Sequence, residues 1–451
     1  MKIEVDRLDL KGKKAGIYGI GGATGKTVVG FLSKLGNQLL LYDDEDIDSS
    51  VYEVGWKANE KSKLLEADFI VASPGVSLQQ EFFKEVKRKN IMVISEIELA
   101  YNFFNRYIIA ITGTNGKTTT ASLTGKILSE GLEKSRVKIA GNIGTPLLDT
   151  MINSEKDDII VAEVSSFQLA GIKKFAPDIS VVLNFAPDHL DWHRTLENYK
   201  KSKQKIFLNQ TSDQIALINA DDYDVKQMAN NTTAVVKKVS SKNKKAEVFI
   251  DENIFINGKK VIKRNSLDLR EIHNLKNVAF AAFIGNNLGV AIEDLEMAVN
   301  NFSPPSHRMQ IIKNYKDLVF IDDSKATNPH AACSALKNLD RKKNIVIIAG
   351  GQDRNLDLSH FAHKIQEITS GTVLMGEIAE SLKSSLASYD YYNTKIVKNM
   401  EQAVYAGVKM LSEEGVLILS PGAPSWDMYE SYKKRGECFR KAVEVISEET
   451  L

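Results

Sequence analysis

The stretch Tyr107-Ile108-Ile109-Ala110-Ile111-Thr112-Gly113-Thr114-Asn115-Gly116-Lys117-Thr118-Thr119 decides the fold class. An apolar run reads as a buried strand, and it leads through a glycine loop into a helix. That unit places backbone N–H groups and a helix N-terminus around phosphate oxygens. Lys117 can then reach the β- and γ-phosphates, and the Thr118 hydroxyl can ligate Mg²⁺. Ile111 stands where a strict P-loop carries its first glycine. The residues alone therefore leave a plain glycine turn with an exposed lysine as the alternative.

Working outward, strands are expected at Lys14–Tyr18, Leu39–Tyr42 and Asp68–Ala72 before this unit, and at Asp158–Glu163 and Ile179–Asn184 after it. Beyond Ser303-Pro304-Pro305 come Leu318–Ile321, Asn344–Ala349, Gly371–Met375 and Gly415–Leu419. Helical stretches between them imply parallel βαβ units. The charged segment Lys238–Lys263, with its Asn257-Gly258 turn, reads as a peripheral hairpin. The expected fold is α/β in three domains. These are an N-terminal Rossmann-like domain (1–95), a central P-loop-type ATPase domain with a mostly parallel sheet (96–303), and a C-terminal Rossmann-like domain (304–451). A second glycine loop, Gly19–Thr27, contains Gly25-Lys26-Thr27, but Gly19 lies one residue too early for Gly-x4-Gly-Lys-Thr. Taken alone it suits a nucleotide turn and a structural strand–helix turn equally.

With 451 residues the chain exceeds what one hydrophobic core serves. Its 59 Lys+Arg and 58 Asp+Glu nearly cancel, which argues against a general nucleic-acid or membrane-surface role. Cys333 and Cys438 lack metal-type spacing and read as reduced thiols. No apolar run approaches the ~20 residues of a membrane span. A cytoplasmic protein is expected.

Further motifs follow in order: Gly141-Asn142-Ile143-Gly144, Glu163-Val164-Ser165-Ser166-Phe167-Gln168, Asn184-Phe185-Ala186-Pro187-Asp188-His189-Leu190-Asp191 and Tyr199-Lys200-Lys201-Ser202-Lys203. After them come His273-Asn274-Leu275-Lys276-Asn277, His307-Arg308 and Asp323-Ser324-Lys325-Ala326-Thr327-Asn328. Together with Gly113–Thr119, this series resembles the Mur ligase family over essentially the whole chain. Asp323–Asn328 and Ser420–Asp427 look most like the members that add D-glutamate to UDP-N-acetylmuramoyl-L-alanine. The Asp-Asn-Pro-type motif of the diaminopimelate- or lysine-adding members is absent.

The resemblance implies an ATP-dependent amide ligase of peptidoglycan precursor synthesis that works through an acyl phosphate. ATP and two Mg²⁺ ions would be its cofactors, the muramoyl nucleotide and D-glutamate its substrates, and a monomer its working form. Gly113, Thr114, Asn115, Gly116, Lys117, Thr118 and Thr119 would hold the ATP phosphates. Glu163, which the residues alone allow as a solvated strand-end carboxylate, becomes a Mg²⁺ ligand with Thr118. His189, otherwise a loop histidine, becomes a ligand of the second ion and a substrate contact. Lys203, otherwise part of a solvated basic helix face, maps to the family's carbamylated lysine, with Lys201 and Lys205 as alternatives in register.

Asn142 would serve the acyl-phosphate region or the muramoyl substrate. Asn274, Asn277, Arg308 and Asp323 would contact the nucleotide, and Lys325 its phosphates. Thr327, Arg354, Ser425 and Tyr432 would receive the amino acid. Ala23, Thr24, Asp43 and Gly75 would hold the uridine diphosphate, so Lys26 would not be a second catalytic lysine. Two other readings compete. One is a different amino-acid ligase of this superfamily, including one like folylpolyglutamate synthetase; the first-domain glycine turn speaks against the folate-type enzyme. The other is a P-loop switch, which has little need of Glu163, His189 and Lys203.

Overall fold

A computed structural model describes residues 8–44, 60–132, 136–142, 145–263, 272–302, 306–315, 317–337, 339, 344–354, 356–411 and 414–449. Three sheets organise them. The first contains β1 (Lys14–Tyr18), β2 (Gln38–Tyr42), β3 (Phe69–Ala72) and β4 (Met92–Ile94), all parallel in the order β2-β1-β3-β4.

The central sheet contains β5 (Tyr107–Thr112), β6 (Val137–Gly141), β7 (Ile159–Glu163), β8 (Ile179–Val182), β9 (Ile215–Asn219), β10 (Val235–Ser240), β11 (Val248–Ile250), β12 (Asn253–Ile256) and β13 (Lys259–Lys263). Their order is β13-β12-β11-β10-β9-β8-β5-β7-β6. The third contains β14 (Gln310–Tyr315), β15 (Asp317–Asp322), β16 (Ile345–Gly350), β17 (Gly371–Met375), β18 (Thr394–Ile396) and β19 (Glu414–Leu419), in the order β14-β15-β19-β16-β17-β18. Only β14 runs antiparallel there.

β5 is continuous in hydrophobicity because both of its faces are covered. Ile109 and Ile111 pack with Leu123, Ile127 and Phe280, while Ile108 and Ala110 pack with Ile97, Leu99 and Leu147. This is the environment in which a parallel strand loses its polar alternation. β5 lies between β7 and β8, so the chain leaves it in one direction and later returns on the other side. The carboxyl ends of those three strands therefore border a crevice of the type that receives ligands in open α/β sheets.

Within residues 238–263 the expected peripheral hairpin is present, as β11, β12 and β13 at the edge of the central sheet; β10 pairs parallel with β9 and β11 parallel with β10, which joins it to that sheet. Only β11, β12 and β13 meander antiparallel. Val248, Ile250, Ile254, Ile256 and Ile262 are buried in the same core as Phe280, which fixes the segment to the sheet despite its lysines. The Asn257-Gly258 turn holds, with φ of 50° and 79°, as a tight hairpin turn requires.

The chain forms two compact units, one running to Phe185 and resuming at Trp192–Phe302, the other taking Ala186–Asp191 and the chain from 303 onward. The first and central sheets share the first unit. Ser303-Pro304-Pro305 lies outside the described residues.

Candidate active site

Gly116 has φ +83°, and a Cβ there would lie 2.5 Å from Asn277 Oδ1, so the loop between β5 and the helix Lys117–Gly131 needs a glycine on two counts. Asn184, just beyond β8, clamps the loop. Its carbonyl accepts from Thr114 N (3.1 Å), its Oδ1 accepts from Asn115 N (2.8 Å), and its Nδ2 donates to Asn115 O (3.0 Å). The Lys117 ammonium folds back across the loop and donates to Gly113 O (2.8 Å) and Thr114 O (2.9 Å). A cation, a helix N-terminus and a preset turn thus converge where anionic oxygens would be bound.

The parallel register Ile111↔Glu163 brings the β7 carboxylate beside this loop. Glu163 is 2% exposed. Its Oε2 accepts from Thr118 Oγ1 (2.9 Å) and its Oε1 from Asn142 Nδ2 (2.9 Å). A 2.9 Å separation of carboxylate and hydroxyl oxygens is close to one edge of an octahedron with ~2.1 Å bonds, the geometry Mg²⁺ demands. The hard-oxygen pair therefore fits that ion. Mg²⁺ commonly keeps several waters and substrate phosphate oxygens beside one or two protein oxygens, so a pair of this kind suits it.

The three candidate lysines separate by their surroundings. Lys203 is 1% exposed and donates to Gly113 O (2.8 Å), with its ammonium 4.8 Å from the Tyr199 ring centre. Tyr199 in turn shares a 3.1 Å hydrogen bond with Thr114 Oγ1. Lys201 pairs with Glu197 (3.4 Å) on an exposed face. Lys205 donates to Ala170 O, and burial beside Lys173 lowers its pKa. Asn277 is buried under the loop, where its Oδ1 accepts from Thr120 Oγ1 (3.2 Å). The Asn274 side chain lies outside the described residues, as do Ile143 and Gly144.

In the first sheet, Asp43 Oδ2 accepts from Ile20 N (2.6 Å) and Gly21 N (3.0 Å), tying the end of β2 to the loop after β1. Ala23 and Thr24 open the next helix, Ala23–Lys34, and Gly75 sits in the turn closed by Val76 N and Ser73 O (2.9 Å). Lys26 is exposed.

The second unit gathers Asp323, Lys325, Thr327, Arg354, Ser425 and Tyr432 around the carboxyl ends of β15, β16 and β19. Asp323 accepts from Ser420 Oγ (2.8 Å) and Met309 N (3.2 Å). Burial pushes its pKa up to about 7, against the opposing pull of those two donors and of Arg308. The Lys325 ammonium lies 3.8 Å from the Tyr432 ring centre. His189 belongs to this unit. It has φ +55°, and its Nδ1 accepts from Arg354 Nη1 (2.7 Å), which assigns the ring proton to Nε2. Asp188 accepts from Asn328 Nδ2 (3.0 Å), and the Arg354 guanidinium lies 5.2 Å from the Trp426 ring centre.

Sequence reasoning gave no role to Asn184, Tyr199, Asp188 or Arg435. Asn184 follows β8, but only the pairing of β8 with β5 puts it beside the loop.

Comparison with known proteins places this site in context. The Mur ligase middle domain matches residues 111–285, and the domain described as "Mur ligase, glutamate ligase domain" matches 307–423. The chain is 34% identical to the UDP-N-acetylmuramoylalanine–D-glutamate ligase of Clostridioides difficile, covering 97% of this chain and 99% of that one. It is 36% identical to the ligase of the same name from Desulfitobacterium hafniense, covering 97% and 98%. Among solved structures, the MurF ligase from Thermotoga maritima in complex with ADP shares the fold, with a TM-score of 0.61 at 14% identity, covering 99% of this chain and 98% of that one.

Proposed function

The chain belongs to the Mur ligase family, and on that premise we propose that it joins D-glutamate to UDP-N-acetylmuramoyl-L-alanine at the expense of ATP, in peptidoglycan precursor synthesis. The observation that carries this is similarity along 97% of the chain to relatives bearing that name.

A carboxylate is too poor an electrophile to meet an amine directly. The substrate carboxylate attacks the γ-phosphorus of ATP, ADP leaves, and an acyl phosphate results. The amine of D-glutamate then attacks the acyl carbon, and the tetrahedral intermediate expels phosphate as the amine gives up its proton. Lys117 and the N–H groups of Gly113–Thr119 hold the phosphoryl oxygens and neutralise charge as it moves. Asn142, fixed by Glu163, presents its amide to the acyl phosphate. Asn274, Asn277, Arg308 and Asp323 take the nucleoside, Lys325 the phosphates, and Ala23, Thr24, Asp43 and Gly75 the uridine diphosphate. Thr327, Arg354, Ser425 and Tyr432 take the two carboxylates of the amino acid. Arg354 offers the bidentate fork that lysine lacks.

Thr118 and Glu163 would hold one Mg²⁺, with His189 and a carbamylated Lys203 completing a second site. When bound, the ions offset phosphate charge. The burial of Lys203 and its bond to Gly113 O favour it over Lys201 and Lys205. We assign domain limits near residues 95 and 303, a monomeric state and a cytoplasmic location, where ATP and sugar nucleotides are at hand. Among the described residues no helix is long and apolar enough to cross a membrane.

The test supplies UDP-N-acetylmuramoyl-L-alanine and ATP with each amino acid in turn and measures phosphate release. D-Glutamate should support turnover, and omission of either acceptor or amino acid should leave little. Comparable turnover with diaminopimelate, or none with either glutamate enantiomer, would sink the assignment.

A further inference from the structure

The helix Tyr432–Glu449 directs one side chain inward that the reaction scheme leaves without a role. Arg435 is 2% exposed. Its Nε donates to Ser324 Oγ (3.0 Å) and its Nη2 to Ser324 O (2.9 Å). Its Nη1 faces Ala423 O (3.0 Å), Pro424 O (3.2 Å) and Gly350 O (3.4 Å). One planar fork therefore spans the loops after β15 and β19 and the last residue of β16, where the third loop begins, on adjacent strands of the third sheet. Ser324 extends the tie by donating its hydroxyl to Tyr432 O (2.8 Å).

Burying a guanidinium among neutral carbonyls is costly, and burial lowers its pKa to about 10. The group still carries its proton at neutral pH. The loops it joins are also packed against each other: Gln352 N donates to Pro424 O (2.9 Å), and Gly351, at φ +141°, would place a Cβ 2.0 Å from that same oxygen. Each loop bears a residue assigned above to the amino acid: Thr327 after Ser324, Arg354 after Gly351, and Ser425 after Pro424. Resting on that assignment, we propose that Arg435 is a positioning residue for the amino-acid substrate. It fixes the mutual spacing of the three loops so that their side chains meet both carboxylates at once, and it adds a permanent positive charge behind them.

Steady-state kinetics of the full chain test this, varying D-glutamate, ATP and the muramoyl nucleotide separately. Arg435→Lys keeps the charge but not the fork. It should raise KM for D-glutamate about tenfold while the other two KM values stay within about twofold and the melting temperature holds. Ser324→Ala, which removes only the Nε acceptor and the link to Tyr432, should raise the same KM by a smaller factor, about threefold. In Arg435→Ala, millimolar methylguanidinium should recover part of kcat/KM for D-glutamate, and methylammonium should not. An unchanged D-glutamate KM in folded Arg435→Lys, or an equal rise in all three KM values, overturns the proposal. The wild-type chain separates the two levels: no D-glutamate-dependent phosphate release from it overturns the functional reading itself, whereas wild-type turnover with unaltered variants overturns only the role of Arg435.

Discussion

Glu163 meets a hydroxyl and an amide with its two oxygens while almost fully buried, so replacing it isolates charge from shape. Glu163→Gln should lower kcat about 10²-fold or more with little change in melting temperature, because a preorganised charge rather than packing volume is lost. Lys203→Ala leaves the Gly113 carbonyl without this buried donor. It should abolish most turnover, with partial recovery on adding a short carboxylic acid to stand in for a carbamate; near-full activity would show that the register lies elsewhere. Asp323 titrates in the fold at about 7 because it is buried. A carboxyl whose folded pKa is raised stabilises the protein fully below its unfolded value of about 3.9, and that contribution is lost as pH rises towards 7. Asp323→Asn should therefore flatten the fall in melting temperature between pH 4 and 7. A residual slope of the same sign should persist from Glu96, whose pKa burial also raises to about 7.

At the scale of elements, the strand–loop–helix at 107–131 was legible because each part is encoded locally: an apolar run for a doubly covered strand, glycine for a left-handed turn, and threonines entering a helix. Asn184 was not, since its grip on the loop depends on β8 lying beside β5. Asn184→Ala removes one acceptor and one donor from the loop and should raise the ATP KM by about tenfold, an order given by two part-buried hydrogen bonds at ~0.5–1.5 kcal/mol each. How the hairpin beyond β10 joins the sheet depends on tertiary pairing in the same way. Lysines at 259, 260 and 263 are exposed at the edge of the sheet, where charge discourages further strand pairing. Read without the sheet, that same charge marks a peripheral hairpin.

For the whole molecule, nucleotide binding should couple to stability. A site that exists only in the folded state gains RT ln(1 + [L]/Kd), so ADP at about 100 times its Kd should add about 2.7 kcal/mol to unfolding of the unit that carries Lys117. Chemical denaturation with and without ADP measures this, and Lys117→Ala should remove most of the gain.

Local sequence determined the α/β class, most of the parallel strands, the glycine loop after β5 and the family, because periodicity, glycine placement and motif order are properties of the chain as written. Tertiary structure alone decided which lysine of 201, 203 and 205 faces the loop, that Asn184 clamps it, that His189 sits against Arg354, and that Arg435 ties three loops together. Those contacts join residues 69, 90, 165 and 111 positions apart. Which side chain reaches across such a distance is set by how helices and strands pack, and no local pattern records it.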